Sequence, residues 1–517
     1  MAMKLSAILE SLTAMLPPER TTHNGPLNDD PLISGIENDS RKVSEKGIFV
    51  AIKGYQSDGH HFIDSAIQSG ASCLVIDDLD YDTVYKKYQD ALPILSFKNT
   101  RKALALLSRL YYDNPGQKLK LIGVTGTNGK TTITYMIREI LRKAGRKVGL
   151  LGTICNYIDD KKIKSPVTTP DSLELNRLFH EMVNKGIQYA VMEVSSHALY
   201  LDRVYGLDFD CVIFTNLSED HLDFHKDMDE YLRVKELIFD VLSQSTKHPT
   251  LAVVNQDLDF SDRLISKAQR LKLNYKTYGL TEQADYYGTD IHFSLSNSAF
   301  IVKNGTESQS IEIPMPGRFN IYNTLASFAA VRFLGIPLAD IVAGFKDISV
   351  PGRFEMIQSG NGAFIVIDYA HTDDAIQNVL STLRDLKPRR IISVFGSGGD
   401  RDKGKRPLMG EVSGKMSDLT IVTSDNPRTE DPNLILDDII VGINRVQGKY
   451  IKIESRYEAI KEAIHLSEEG DIVLIAGKGH EDYQILKDKT IHFDDKEAVE
   501  DVLKNRFQTI NRMDHDS

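Results

Sequence analysis

Gly123-Val-Thr-Gly-Thr-Asn-Gly-Lys-Thr-Thr-Ile-Thr134 joins an apolar run over 119–124 to a helical pattern over 133–143. A strand that ends in glycines and opens a helix makes a phosphate cradle, because backbone N–H groups and the positive helix end face the turn. Gly126 and Gly129 permit the tight turn, Thr127 and Asn128 fill it, and Lys130 can reach terminal phosphates. Thr131, with Thr132 beside it, is placed to hold Mg2+. The general pattern has glycine six residues before the lysine, where this chain has Val124. The expected ligand is ATP.

The chain has 517 residues, more than one core of ordinary size, so three domains of roughly 100 to 200 residues are expected. A formal net charge of −11 without a block of like charges argues against nucleic acid or an anionic membrane as partner. Cys73, Cys155 and Cys211 have neither disulfide-framework nor zinc spacing, and buried free thiols are expected. The first residues have helical apolar spacing interrupted by Glu10, unlike a signal peptide. No apolar run approaches the roughly twenty residues that span a bilayer. A cytoplasmic protein is expected.

On the N-terminal side of the loop, 17–31 reads as a loop. Short buried strands follow at 47–52 and 71–76, with a helix at 62–68 between them. Asn38-Asp-Ser-Arg41 and Lys53-Gly-Tyr-Gln-Ser-Asp-Gly-His60 stand at strand ends, where open α/β sheets bind ligands and where ordinary turns also occur. A helical connector at 99–112 is broken by Asp113-Asn-Pro-Gly116. On the C-terminal side, strand patterns at 147–151, 188–194, 210–214 and 251–254 alternate with helical stretches, as in a mainly parallel sheet. A β-rich excursion at 278–303 precedes Pro316-Gly-Arg-Phe-Asn-Ile-Tyr-Asn323, which opens an alanine-rich helix. Val350-Pro-Gly-Arg-Phe-Glu355 marks a third unit with strands at 364–369, 390–395, 419–423 and 471–476. The expected domains are 1–112, 113–349 and 350–517.

Chemistry-bearing residues crowd the strand ends. Glu193 closes a buried strand and opens Glu193-Val-Ser-Ser-His197, with Arg203 beyond; near a phosphate loop such a carboxylate suits Mg2+. His221 and His225 in Asn216-Leu-Ser-Glu-Asp-His-Leu-Asp-Phe-His225 have the spacing of a zinc helix, but Leu222 takes the place of the general base, which speaks against zinc hydrolysis. Lys235 falls in an amphipathic helical pattern over 231–239, where a lysine is ordinarily a solvated surface residue. The third unit's strands end in Asp368-Tyr-Ala-His371, Gly396-Ser-Gly-Gly-Asp-Arg-Asp-Lys-Gly404, Ser424-Asp-Asn-Pro-Arg428 and Gly477-Lys-Gly-His-Glu-Asp482. These glycines do not make G-x-G-x-x-G, so the unit is Rossmann-like without a dinucleotide.

Gly126 to Thr132 resembles the phosphate loop of the Mur ligases and the related folylpolyglutamate synthetases. The segments around Glu193 and His221 and the Asp425-Asn-Pro-Arg428 motif resemble the Mur ligases that add diaminopimelate as the third peptide residue of the peptidoglycan precursor. The resemblance implies an α/β protein of three domains: a small uridine-nucleotide-binding domain, a central P-loop-type ATPase domain and a C-terminal Rossmann-like domain that binds the amino acid. It implies ATP-dependent amide ligation through an acyl phosphate, by a monomer, on UDP-N-acetylmuramoyl-L-alanyl-D-glutamate and meso-diaminopimelate, with L-lysine or another diamino acid as the alternative. It assigns Ser40, Tyr55, Gln56, Ser57, Thr168, Thr169, Ser195 and Arg203 to the muramoyl dipeptide. The phosphate loop with Asn323 and Arg353 goes to ATP, and Thr131, Glu193, His221 and a carbamylated Lys235 go to Mg2+. Arg401, Asp425, Asn426, Pro427, Arg428, Gly477 and Glu481 go to diaminopimelate. Two other readings stay open, a folylpolyglutamate synthetase and a P-loop switch whose ATP hydrolysis alters a partner's affinity.

Overall fold

The computed structural model describes residues 3–22, 30–54, 57–222 and 224–515, with side chains to residue 505. Three large sheets succeed one another along the chain, and a two-stranded one, Tyr483–Ile485 with Thr490–His492, follows the last. The first has the strands Arg20–Thr21, Ile94–Phe97, Ala71–Asp77, Gly47–Val50 and Ile36–Glu37 side by side in that order. All its pairings are parallel except that of Arg20–Thr21. Leu5–Met15 and Thr100–Tyr111 cover one face, and Ile63–Gln68 and Tyr81–Tyr88 the other. The sequence suggests two of the three inner strands, Gly47–Val50 and Ala71–Asp77, and leaves out Ile94–Phe97. Ile36–Glu37 and Arg20–Thr21 are two residues each, too short to show a period, and the second lies in a stretch expected to be loop.

In the central sheet of eleven strands, Lys120–Thr125 lies between Cys211–Phe214 and Tyr189–Glu193, parallel to both. Along it Leu121 faces one core while Ile122 and Val124 face the other, as the period of two requires for a strand buried on both sides. Lys130–Lys143 and the alanine-rich Arg318–Phe333 pack on the second of these faces. The helix after the loop begins at Lys130, one turn earlier than the apolar period shows, because its first turn is polar. The β-rich excursion becomes Tyr286–Phe293, Ser298–Asn304 and Glu307–Ile313, the last two pairings antiparallel. Tyr275–Gly279 stays in the parallel part, with the Tyr278 hydroxyl reaching the carbonyls of Phe214 and Thr215.

The third sheet runs Glu355–Gln358, Phe364–Asp368, Ile472–Ala476, Ile391–Phe395, Leu419–Val422 and Tyr450–Lys452. Only the first pairing is antiparallel. Its parallel strands therefore release their following loops at one edge, where ligands of open α/β sheets bind. All three cysteines are free and buried. Among the described residues no helix is long and apolar enough to cross a membrane.

Candidate active site

Gly126 has φ 141°, and a Cβ there would collide with Thr215 Oγ1, so the loop can turn tightly against the neighbouring strand end only with glycine. Lys130 Nζ folds back onto the carbonyls of Gly126 at 2.9 Å and Thr127 at 2.7 Å. Asn216 Oδ1 accepts from the Asn128 N–H at 2.8 Å, and Asn323 Oδ1 is 2.5 Å from where a Cβ on Gly129 would stand. The register that pairs Glu193 with Val124 brings this carboxylate to the loop. It accepts from Thr131 Oγ1 at 3.1 Å, the Thr153 N–H at 2.9 Å and Thr153 Oγ1 at 3.0 Å. Glu193 is buried, and among the described residues no cation pairs with it. A desolvated carboxylate beside a threonine hydroxyl, with hydrogen bonds and no counter-ion, is a fitting donor set for a divalent cation.

Lys235 lies where a second local decision was needed. The 231–239 pattern is split into Met228–Lys235 and Leu237–Ser243, with Glu236 at the joint. Lys235 shares the buried side of this stretch with Tyr231, Val234, Ile238 and Phe239 at 1% exposure, against the expectation of a solvated lysine from pattern alone. Its Nζ donates to Gly126 O at 2.8 Å and lies 4.6 Å from the centroid of the Tyr231 ring. Burial, and next the charge of Lys130, lower its proton affinity well below that of an ordinary lysine. Burial also lowers that of Lys130, with Glu193 opposing.

His221 and His225 are not on a helix; His221 has φ 57° and caps a tight turn. Its ring stands 5.1 Å from that of His197, and Asp220 approaches its Nε2 at 3.3 Å. His221 keeps 43% of its side chain open to the cleft, yet protein on its other sides disfavours the charged ring and moves its proton affinity down. His225 is buried and bonded to Ser196 Oγ at 3.0 Å, which gives it a place in the packing. Ser195 caps the short helix Ser196–Tyr200. Thr169 Oγ1 ties it to the preceding strand through Glu193 O at 2.9 Å, and Arg203 donates to Thr169 O at 2.7 Å. Thr168 meets Thr153 at 3.1 Å, so Thr168, Thr169, Ser195 and Arg203 form one patch beside Glu193.

Between the central and third sheets lies a cavity of about 390 Å3. Asn128, Gly129, Thr132, Asn323 and Arg353 are on its wall. Arg353 approaches Thr131 Oγ1 at 3.4 Å and stacks 4.7 Å from the Tyr369 centroid, and Asn128 Nδ2 reaches Asp374 at 2.8 Å. The cavity also takes in Asn216, Asp257, Tyr278, Arg318, Asp368 and Asp374, which the sequence did not single out as a group. Asn216, Asp257 and Asp368 are polar ends of buried runs, while Arg318 and Asp374 lie in the first turns of helices, weak signals that only the folded wall makes legible.

At the third sheet's edge, Gly477 has φ 115° and a Cβ on it would stand 2.7 Å from Asp425 Oδ2. Asn426 Nδ2 donates to Glu481 Oε2 at 2.9 Å, and Arg428, at φ 51°, donates to Gly399 O at 2.7 Å. Gln484 Nε2 holds Asp425 O at 2.6 Å, and the Glu430 N–H donates to Pro427 O. The structure thus brings Asp425, Asn426, Pro427, Arg428, Gly477 and Glu481 together. Arg401 is exposed on the adjoining loop, near Gly398 but without a hydrogen bond to that group among the described residues.

On the first sheet, Ser40 is buried at the start of Ser40–Lys42 and the Ser57 carbonyl accepts from the Gly54 N–H at 3.0 Å. Among the described residues neither is hydrogen-bonded to the phosphate-loop group. Tyr55 and Gln56 lie outside the described residues. Asp58, His60 and Asp80 stand close enough for a metal. His60 Nδ1 already faces Asp58 Oδ1 at 2.6 Å while Nε2 accepts from the Asp77 N–H at 3.0 Å, so no imidazole lone pair is left for an ion.

Residues 32–112 match the Mur ligase family catalytic domain, 124–331 the Mur ligase middle domain, and 352–479 the Mur ligase glutamate ligase domain. The UDP-N-acetylmuramoyl-L-alanyl-D-glutamate–2,6-diaminopimelate ligase of Clostridium botulinum is 47% identical over 91% of this chain and 95% of its own length. The ligase of the same name from Clostridium tetani is 45% identical over 98% and 100%. A solved structure with that name superposes with TM-score 0.69 at 33% identity, covering 96% of this chain and 99% of its own. A Mycobacterium tuberculosis folylpolyglutamate synthase complexed with ADP shares the fold at TM-score 0.62 and 17% identity, covering 74% of this chain and 92% of its own. With domain matches on all three sheets and relatives alike over nearly the whole length, the chain belongs to the Mur ligase family.

Proposed function

We propose that this chain is an ATP-dependent ligase that joins meso-2,6-diaminopimelate to the D-glutamyl side-chain carboxylate of UDP-N-acetylmuramoyl-L-alanyl-D-glutamate. Residues 1–112 hold the uridine nucleotide, 113–349 bind ATP and 350–517 bind the amino acid. The observation that carries the reading is the joint placement of two groups. One is a phosphate loop with a buried carboxylate beside it; the other is a polar pocket of Asp425, Asn426, Arg428, Gly477 and Glu481 on the facing sheet.

A carboxylate oxygen of the D-glutamyl residue takes the γ-phosphoryl group of ATP, the bond to the β-phosphate breaks, and ADP leaves. The amine nitrogen then attacks the acyl carbon, phosphate departs, and the ammonium's surplus protons go to solvent. Phosphoryl transfer asks mainly for alignment and charge neutralisation. Lys130 exchanges its loop carbonyls for terminal phosphate oxygens, and the amino end of Lys130–Lys143 faces the same charge. Arg353 brings a second cation from the facing sheet, while Asn128, Gly129, Thr132 and Asn323 line the nucleotide cavity. Ser195, Thr168, Thr169 and Arg203 orient the dipeptide, with Ser40, Tyr55, Gln56 and Ser57 at its uridine end. Thr131, Glu193 and His221 would hold Mg2+, which supplies positive charge to the phosphates. A carbamate on Lys235 would supply an anion for a second Mg2+, and burial of this amine lowers its proton affinity, the direction that capture of CO2 requires.

Arg428, with Asn426 and Arg401, meets the second carboxylate of diaminopimelate, a group that lysine lacks. Gly477 and Glu481 take the ammonium on the same carbon. Leaving a buried charge unpaired costs about 3 to 5 kcal/mol, which corresponds to roughly 100- to 5,000-fold discrimination. A nucleotide-linked substrate and ATP both belong to the cytoplasm. The test is a product assay in which ADP release requires both the muramoyl dipeptide nucleotide and an amino acid, with diaminopimelate competing against lysine. Equal use of lysine, or an Arg428→Ala enzyme with undiminished preference, removes the amino-acid assignment. ADP release without either substrate favours a nucleotide switch.

A further inference from the structure

The loop after Ile472–Ala476 carries an ionisable side chain to which the chemistry above gives no task. Lys478 is fully buried. Its ammonium lies 3.3 Å from Glu481 Oε2 and 3.4 Å from Asn426 Oδ1. Asn426 Oδ1 also accepts from the Ile485 N–H at 2.9 Å, while Asn426 Nδ2 donates to Glu481 Oε2 at 2.9 Å. Lys478 and the Ile485 N–H can only donate, so the amide must turn its oxygen to them and its nitrogen to the carboxylate. Glu481 Oε2 is thereby used within the protein. Among the described residues no hydrogen bond engages Oε1, which is left for a ligand.

The charges lead to the same place. Asp425 and Glu481 share the pocket; burial and next Asp425 push the Glu481 carboxyl upward, with Lys478 and Asn426 opposing. With Arg428 given to the substrate's second carboxylate, two carboxylates and one ammonium leave a single negative charge, which matches one substrate ammonium. Arg456, Tyr369 and Tyr483 also face Glu481. Arg456 is committed to Asp495 through two bonds of 2.7 Å, and burial pushes both tyrosine hydroxyls up, so they stay neutral.

We propose that Lys478 is a positioning residue that sets specificity in the amino-acid pocket, holding Glu481 and Asn426 in the arrangement that receives the ammonium of the substrate's far carbon. The inference rests on the amino-acid pocket proposed above.

In Lys478→Met the opposing charge is gone, so Glu481 takes up its proton at higher pH and binds an ammonium less well. The expected result is a KM for meso-diaminopimelate raised about tenfold or more, with the KM values for ATP and the muramoyl nucleotide unchanged. The acid limb of kcat/KM for the amino acid moves to higher pH, a shift that loose packing alone would not give. Because Lys478 acts through Glu481, Lys478→Met with Glu481→Gln should be no worse than Glu481→Gln alone. That double variant removes both partners and carries the test if Lys478→Met does not fold. Glu481→Gln raising the KM while Lys478→Met keeps the wild-type KM and pH limb would overturn the inference. So would a double variant whose losses multiply. An unchanged KM in Glu481→Gln removes the pocket reading itself, and the inference with it.

Discussion

Burial lowers the proton affinity of Lys130 and of Lys235, but the two amines face different tasks. Lys130 rests on its own loop carbonyls and can exchange them for phosphate oxygens, whereas Lys235 has a single carbonyl partner deep beneath the loop. Lys130→Ala should lower the rate of ADP release by about a thousandfold or more while the muramoyl nucleotide still binds, as calorimetry would show. Unchanged turnover would end the phosphate-loop assignment. Lys235→Ala should lose about a hundredfold or more and recover part of it with added acetate or formate, since the group removed is an anion if the lysine is carbamylated. Titrating either carboxylate into the assay without any recovery counts against the carbamate.

At the scale of elements, the third sheet's pocket is braced from behind by a buried ion pair. Arg456 opens the helix Arg456–Leu466 and Asp495 opens Asp495–His515; both side chains are fully buried. Arg456 Nη2 also donates to Ala476 O at 2.9 Å, one residue before Gly477. The pair therefore fixes two helix starts and the strand end that carries the pocket. Asp495→Asn leaves a guanidinium buried without its counter-ion, and a stability loss of about 3 to 5 kcal/mol is expected in urea unfolding. Replacing both residues by apolar ones should cost less, which separates the charge effect from lost packing.

The whole molecule works as a cleft whose walls come from two sheets. Asn128 with Asp374 and Thr131 with Arg353 join those walls across the cavity. The seam is also built from rings: Tyr369 lies 4.6 Å from His371 and 5.0 Å from His480. Burial lowers the proton affinity of both histidines, His480 to about 3. The unfolded chain takes up these protons near the ordinary value of about 6.5, so below it the unfolded chain binds protons that the folded seam does not, for His480 down to about 3. Stability from the seam is therefore full above about 6.5 and falls as the pH drops through that window. Denaturation at a series of pH values should show this slope, and His480→Gln should flatten it; an equal slope in the variant would place the effect elsewhere.

Much of this protein was written in local order. The phosphate loop, Glu193 at its strand end and the four polar strand ends of the third unit follow from runs of buried residues punctuated by glycine and charge, because a parallel strand must be apolar until it leaves the sheet. Family resemblance added the roles of residues that no periodicity identifies, Lys235 above all. What the tertiary structure decided was how separate stretches meet. Lys235 is buried beside Tyr231, Ile238 and Phe239 against Gly126 O, where the sequence pattern alone leaves a lysine in water. The parallel register sets Glu193 against the loop, the cavity wall recruits Asn216, Arg318 and Asp374 from distant stretches, and Lys478 finds Glu481 and Asn426. Short edge strands were invisible for the same reason: two residues carry no period, and neighbouring strands alone supply the hydrogen bonds that define them.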